Sequence, residues 1–224
     1  MMSAVPYINV HTHNTYSKEN TVAIVNMPYA DTPNNLGSDL LYSIGLHPWD
    51  IAKVELFNLS EELAQQAVNL NAIAIGEIGL DKFIDTDFKK QEDIFKSQLN
   101  VAKQLQKPVI IHCVRAFSDL IRIKKTNDTH TPWIIHGYRK NDEIAKSLLK
   151  TGCYLSFGKA LLNNKKLQNI FQNIPDDKFF LETDNSDITI EDIYLKAAIL
   201  KNNSVDDIKT QIVKNYNTCF KDYE

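Results

Sequence analysis

Residue types that bind metals recur beside short apolar segments along this sequence. Five of the six histidines lie there, and His130 is the exception. The full set comprises His11, His13, His47, Glu77, His112, His136, Glu182 and Asp184. Imidazole and carboxylate donors together suit Zn, Mn, Fe, Co or Ni better than calcium. The set therefore indicates a divalent metal site and the hydrolytic chemistry that such a site supports.

Two separate patterns among the histidines indicate metal ligands. His11 and His13 are separated by a single residue. Residues i and i+2 at a strand end point to the same side, so both rings could bind one ion. His112 and His136 each end an Ile-Ile-His segment. Alone, either would more simply be a buried core histidine, but their identical placement favours the interpretation as ligands.

The carboxylates add a candidate bridge and a candidate base. Glu77 follows an apolar segment, where a carboxylate is costly to bury unless it is paired or metal-bound. Its two oxygens could bridge two ions. Asp184 is either a helix N-cap or a ligand that accepts a proton from the attacking water. Glu182 faces away from its immediate neighbours and could support the core or hydrogen-bond to a ligand.

Eight apolar segments provide the strands on which these residues depend. They are residues 7–10, 22–25, 40–44, 72–75, 109–111, 133–135, 154–157 and 179–181. Apolar runs without polar alternation are typical of parallel strands buried on both faces. Helical stripes lie between several of them, which predicts an α/β fold, a compact TIM-like (β/α)8 barrel. A doubly wound open sheet is the competitor. The strand ends of such a barrel share one face, where the residues above would converge.

Turn and capping signals refine this prediction. Two helix starts resemble capping boxes, Thr189 with Asp192 and Ser204 with Asp207. Residues 27–39 contain two prolines and are too few for a full helix between the second and third strands. One outer helix is therefore expected to be missing or reduced.

Composition excludes several classes of protein. The formal charge of −3 gives no bulk attraction to a polyanion. The three cysteines form no Cys-x-x-Cys pair, so neither a disulfide framework nor a zinc knuckle is indicated. No apolar run is long enough to cross a membrane, and no leader is evident. We expect a single domain, residues 1–224, in the cytoplasm, with no membrane and no obligate protein partner.

The motifs resemble, in order, those of the TatD family. They are Val10-His11-Thr12-His13, Gly45-Leu46-His47-Pro48, Gly76-Glu77-Ile78-Gly79-Leu80-Asp81, Gln91 with its helix, Pro108-Val109-Ile110-Ile111-His112, Ile135-His136-Gly137 and Leu181-Glu182-Thr183-Asp184. The resemblance implies a metal-dependent phosphodiesterase, usually a deoxyribonuclease with 3′ to 5′ exonuclease character, on an amidohydrolase-like barrel. It implies as metal ligands His11, His13, Glu77, His112, His136 and Asp184, and it places His47 near the substrate phosphate.

The expected mechanism uses two divalent ions, of Zn, Mn, Mg, Fe, Co or Ni. Glu77 and a hydroxide would bridge them, and the hydroxide would attack phosphorus. Asp184 would steer the water or accept its proton. His47, Arg115 and Arg139 are the candidates to hold the phosphate of a single-stranded DNA end or of a small phosphoester.

The loops differ from the family pattern more than the ligands do. Val114 stands where the family has an arginine, and Asn185 follows Asp184 where the family has a serine. Two alternatives therefore stay open. One is a hydrolase of a small phosphoester, lactone or amide on the same barrel. The other is a non-catalytic metal-binding protein that acts through partners, which would bind metal without hydrolysing any test substrate.

Overall fold

Strands and helices alternate along the chain. The computed structural model describes residues 5–15, 18–29, 40–126 and 131–220. These residues form eight strands that neighbour one another in chain order, and the assigned pairings are parallel. The predicted (β/α)8 class is confirmed, because a doubly wound sheet would reverse its strand order. The chain divides into two compact units, with Asn26–Ile135 in unit 2 and the described residues before and after it in unit 1. One domain over residues 1–224 stays a prediction.

Unit 1 combines the two ends of the chain. Its elements are β1 (Tyr7–Thr12), the start of β2 (Thr21–Pro28), α4 (Asp142–Lys150), β7 (Tyr154–Phe157), α5 (Ala160–Asn163), α6 (Lys165–Gln172), β8 (Phe179–Leu181), α7 (Ile190–Lys201) and α8 (Val205–Cys219). A short 3-10 helix, Asp176–Lys178, precedes β8. Strand β1 pairs with β2, and β7 pairs with β8. The two predicted capping boxes are confirmed at the starts of α7 and α8.

Unit 2 is one continuous segment. Its elements are the end of β2, β3 (Leu41–Gly45), a 3-10 helix (Pro48–Lys53), α1 (Leu59–Asn69), β4 (Ala74–Asp81), α2 (Phe88–Gln104), β5 (Val109–Val114), α3 (Phe117–Thr126) and β6 (Trp133–Ile135). Strand β4 pairs with β3 and β5, and β5 pairs with β6. All eight positions of β4 are buried, as expected for a central parallel strand.

The apolar segments form the cores of the two units. In unit 1, the ring of Phe171 packs edge-on against Phe157 and Phe179, each at 4.9 Å between centroids. In unit 2, Phe95 packs against Trp133 at 5.7 Å, and both side chains are fully buried. Burying each such side chain contributes about 1.5–3 kcal/mol. These contacts fix the strands whose ends and interiors carry the polar residues described below.

The lengths of three strands differ from the sequence prediction, and the prediction of a reduced helix falls largely on residues outside the described part of the chain. Strands β1, β4 and β5 extend past their apolar segments, so His11, Glu77 and His112 lie inside strands rather than after them. The reduced helix was predicted for residues 27–39, of which 30–39 lie outside the described residues. Among the described residues between β1 and β2 there is no helix. Within the described chain, no helix combines the length and the apolar character needed to cross a membrane.

Candidate metal centre

Glu77 is the centre of a buried polar group in unit 2. Its Oε1 lies 2.9 Å from His112 Nδ1 and 3.2 Å from His47 Nε2. Its backbone N–H donates to Asn26 Oδ1 at 2.6 Å. We call His47, Glu77, Asp81 and His112 the unit 2 cluster. A carboxylate inside a buried strand is tolerated only when it is paired in this way or bound to a cation.

His47 is arranged as a hydrogen-bond donor. It caps the 3-10 helix, where its Nδ1 accepts the backbone N–H of Trp49 at 3.2 Å. A neutral imidazole has one N–H, so the proton of His47 stands on Nε2 and points at Glu77. Burial lowers the pKa of His47, although Glu77 opposes the shift, so the ring is neutral near pH 7. By distance His47 could bind an ion with Glu77 and His112, but this proton pattern favours a donor role.

Asp81 fixes the opposite side of His112. Its Oδ2 lies 3.4 Å from His112 Nε2 and accepts the indole N–H of Trp49 at 2.8 Å, while Oδ1 accepts the backbone N–H of Phe83. Burial alone would raise the pKa of Asp81, but these hydrogen bonds outweigh it and hold the pKa below its ordinary value. With a proton on Nε2, His112 would donate to the ionised Asp81 and would turn its Nδ1 lone pair to an ion bound on the Glu77 side.

Two buried glutamines of α2 hold the backbone on which these residues stand. Gln98 accepts the N–H of Leu46 and donates to its carbonyl, immediately before His47. Gln91 does the same for Asp81. The side-chain amide of each glutamine hydrogen-bonds to both the N–H and the carbonyl of one residue. The buried amide and the two backbone groups are therefore all hydrogen-bonded. Helix α2 therefore positions both His47 and Asp81.

Gly79 allows strands β4 and β5 to lie close together where they carry the unit 2 cluster. It is paired with His112 in the parallel register. A Cβ at this position would lie 1.9 Å from the carbonyl oxygen of His112. No side chain fits there unless the strands move apart, and such a movement would displace His112 from Glu77.

His11, His13 and Asp184 form a second group of donors in unit 1. Asp184 Oδ1 lies 3.7 Å from His11 Nε2 and 3.6 Å from His13 Nε2. The ligand atoms of all three lie within 4.8 Å of one another. The His136 ring is 4.5 Å from that of His11 between centroids. We call these four residues and Glu182 the unit 1 cluster.

Glu182 lies behind His136. Its Oε1 accepts the backbone N–H of Gly137 at 2.7 Å and lies 3.4 Å from His136 Nδ1. The side chain is fully buried, which by itself would raise the pKa. The hydrogen bond and charge of His136 outweigh burial and hold the pKa of Glu182 below its ordinary value. Glu182 thus relates to His136 as Asp81 relates to His112.

Backbone hydrogen bonds join the two ends of the chain at the unit 1 cluster. Asp184 N–H donates to the carbonyl of His11 at 3.0 Å, and His13 N–H donates to that of Asp184 at 3.2 Å. The amide of Asn9 makes two further hydrogen bonds to Thr183. Asp184 has a positive φ of 52°. This is a left-handed conformation that Asp tolerates better than most residues, and it places the carboxylate beside the two histidines.

Within each unit, the structure thus brings predicted ligands together. His11, His13, His136 and Asp184 meet in unit 1, and Glu77 and His112 meet in unit 2 with His47. Arg115 and Arg139 are both exposed. The guanidinium of Arg115 lies over the ring of Phe83, 4.8 Å from its centroid. A bridging role for Glu77 stays a prediction, as do the phosphate contacts of both arginines.

Sequence reasoning gave no role to Asp81, although a signal was present. Glu77, Gly79 and Asp81 are two residues apart, so they share one face of β4. The period of a strand would have placed Asp81 with Glu77 on the side facing the cluster. The structural roles of Asn26 and Trp49 had no such local signal, because both depend on contacts between distant segments.

The donor chemistry of both clusters fits divalent metal ions. Each brings imidazoles and carboxylates together at distances that a single ion could span. In each, a buried carboxylate stands behind a histidine, an arrangement that orients histidine ligands in metalloproteins. Such mixed nitrogen and oxygen donors suit Zn, Mn, Fe, Co or Ni.

Comparison with known proteins agrees with this donor chemistry. A family described as TatD related DNase matches residues 14–221, a range that includes every predicted site residue except His11 and His13. Over 155 residues the chain is 33% identical to an uncharacterized metal-dependent hydrolase of Buchnera aphidicola and 32% identical to one of Bacillus subtilis. Each alignment covers 65% of this chain but only 59% of the relative.

A solved structure extends the likeness to the whole fold. The crystal structure of a TatD homologue from Escherichia coli matches with a TM-score of 0.82 at 22% identity. The match covers 96% of this chain and 98% of the other. At this level of identity, the likeness supports the fold assignment alone.

Proposed function

The chain belongs to the TatD family, and on this premise we propose that it is a metal-dependent hydrolase that cleaves phosphodiester bonds in DNA. The observation that carries the proposal is the meeting of imidazole and carboxylate donors in each unit, with His11, His13 and Asp184 in one and Glu77 and His112 in the other. The relatives named metal-dependent hydrolases support the general reaction class. The family description supports the choice of DNA.

Each cluster would hold one divalent ion. In unit 1 the ligands would be His11, His13, His136 and Asp184, and in unit 2 they would be Glu77 and His112. Bound ions supply Lewis-acid polarisation of a phosphate oxygen and lower the pKa of water toward neutrality.

The protein's own residues would orient these ligands and handle the proton. Asp81 and Glu182, each 3.4 Å from an imidazole nitrogen, would accept an N–H from His112 and His136 and so fix the tautomers of these ligands. Asp184 is the proton acceptor, because its side chain is 45% exposed and can be reached by water and substrate. His47 donates through Nε2–H and would hold a phosphate oxygen beside Glu77.

The test is hydrolysis of end-labelled single-stranded DNA by purified protein after reconstitution with Mn, Zn or Mg. We expect stepwise release of nucleotides from the 3′ end, abolished by a chelator and restored by excess metal. Glu77→Gln, which keeps the shape of the side chain and removes its charge, should be inactive. Cleavage that resists the chelator, or full activity of Glu77→Gln, would contradict the proposal.

Parallel assays with small substrates separate the two alternatives. Cleavage of a nitrophenyl phosphodiester, a lactone or an amide, without competition by single-stranded DNA, would identify a small-molecule hydrolase. Metal found by elemental analysis, with no hydrolysis of any of these substrates, would instead identify a non-catalytic metal-binding protein.

A further inference from the structure

Trp49 presents an exposed aromatic ring beside the unit 2 cluster. The residue is 58% exposed, although a tryptophan carries a large apolar surface that is costly to leave in water. The ring is held in place, because its N–H donates to Asp81 at 2.8 Å and its centroid lies 4.9 Å from that of His47 and 5.8 Å from that of His112. Trp49 is therefore a fixed apolar surface that borders the candidate site.

Phe83 is anchored to the other oxygen of the same carboxylate. Its backbone N–H donates to Asp81 Oδ1 at 2.8 Å, and the residue is 71% exposed. The guanidinium of Arg115 lies over this ring, a cation–π contact that keeps a positive charge next to an aromatic surface. One buried carboxylate thus positions two exposed aromatic residues and, through Phe83, an arginine.

We propose that Trp49 and Phe83 form a platform on which bases of a single-stranded nucleic acid stack, with Arg115 binding the backbone phosphate. Aromatic rings beside a cation are the usual means of binding single strands, because every base has a stacking face and every linkage a negative charge. The platform would supply a local attraction for nucleic acid in a chain whose net charge is −3. This inference rests on the proposed function and specifies the substrate class of the same site.

Intrinsic fluorescence offers a direct measurement. The chain has two tryptophans, and Trp133 is fully buried, so binding at the platform should change the emission of Trp49 alone. The titration uses an oligothymidylate and an abasic oligomer of the same length, in chelator, so that no turnover occurs. The two probes carry the same phosphates and differ only in their bases. We expect the base-bearing strand to quench Trp49 and to bind about tenfold more tightly.

Variants measured by polarisation of labelled strands complete the test. Trp49→Leu should lose most of the preference for the base-bearing strand, and Trp49→Phe, which keeps an aromatic face, should recover part of it. Phe57→Ala removes another exposed aromatic residue, 96% exposed, from a different segment and should leave the preference unchanged. Thermal melting of each variant separates loss of binding from loss of folding.

The outcomes separate this inference from the proposed function. Equal affinity for both strands, or a preference that survives in Trp49→Leu, would overturn the platform even if the protein cleaves DNA. A preference that depends on Trp49 would support the platform even in a protein that cleaves no DNA.

Discussion

The two clusters contain similar metal-ligand candidates, but these side chains differ in their exposure to solvent. In unit 1, His13 and Asp184 follow strand ends, and their side chains are 38% and 45% exposed. In unit 2, Glu77 and His112 lie within strands, and their side chains are 5% and 12% exposed. Buried polar groups need hydrogen-bond partners, whereas exposed ones can use water. Accordingly, unit 2 surrounds its donors with fixed partners, and unit 1 leaves two of its donors at the surface.

The largest expected effect comes from removing a ligand of each cluster. Glu77→Ala should lower kcat/KM by about 10³-fold or more, because no solvent can replace a buried charged partner. Asp184→Ala should cost about 10²-fold, since water can occupy an exposed ligand position while proton transfer is impaired. Steady-state kinetics and elemental analysis of both variants provide the measurement. An equal or larger loss in Asp184→Ala would mean that exposure does not distinguish the clusters.

The carboxylates behind the histidines should have smaller effects. Asp81→Asn and Glu182→Gln keep size but no longer accept an imidazole N–H as strongly, and each should weaken metal binding or activity about 10- to 100-fold. Because Asp81 also holds Trp49 and Phe83, its replacement should additionally weaken binding of the single strand. Metal titrations and strand binding measured side by side test this difference. Identical behaviour of the two variants in both measurements would contradict it.

Substitutions of one glycine in each unit separate the cost of steric crowding from the cost of a left-handed backbone conformation. Gly79→Ala places a Cβ against the His112 carbonyl, and the overpacking should destabilise the fold by about 3 kcal/mol. Gly152→Ala meets no atom within 4 Å, and only its positive φ of 82° opposes the change. An L-residue in that left-handed conformation should cost about 1 kcal/mol. Denaturant unfolding measures both. Equal losses would show that the approach of β4 and β5 at the cluster is not tight.

The smallest effect on function is expected from a helix cap in unit 1. Ser204→Ala removes the hydroxyl that accepts the N–H of Asp207, and it should reduce the free energy of unfolding by about 1 kcal/mol. Activity should stay within error of the parent, because the cap touches neither cluster. Thermal melting and the DNA assay check the two halves of this prediction, and a large loss of activity would show that α8 influences the site.

Much of this architecture was predictable from local patterns. Capping boxes at Thr189 and Ser204 depend on residues three apart, and the strands depend on apolar runs. The limits of β4 were not predictable in this way, because Glu77 and Asp81 are polar residues that become strand positions only through partners on other segments. The tautomer of His47 likewise depends on a backbone N–H supplied by the fold. Local sequence patterns therefore predict the order of the strands. They do not predict which partners on distant segments pair with the buried charged groups.

The hydrogen bonds between His11, His13 and Asp184 also determine when, during folding, the metal-ligand candidates of unit 1 can come together. The contact of Thr12 with Asp184 spans 172 residues of sequence, whereas the whole of unit 2 is one uninterrupted segment. Closing so long a loop is slow compared with forming contacts inside a continuous segment. On a ribosome, the segment of unit 2 emerges complete while β1 still awaits the residues that finish its cluster. Glu77 and His112 can therefore come together before the first two histidines have met their aspartate.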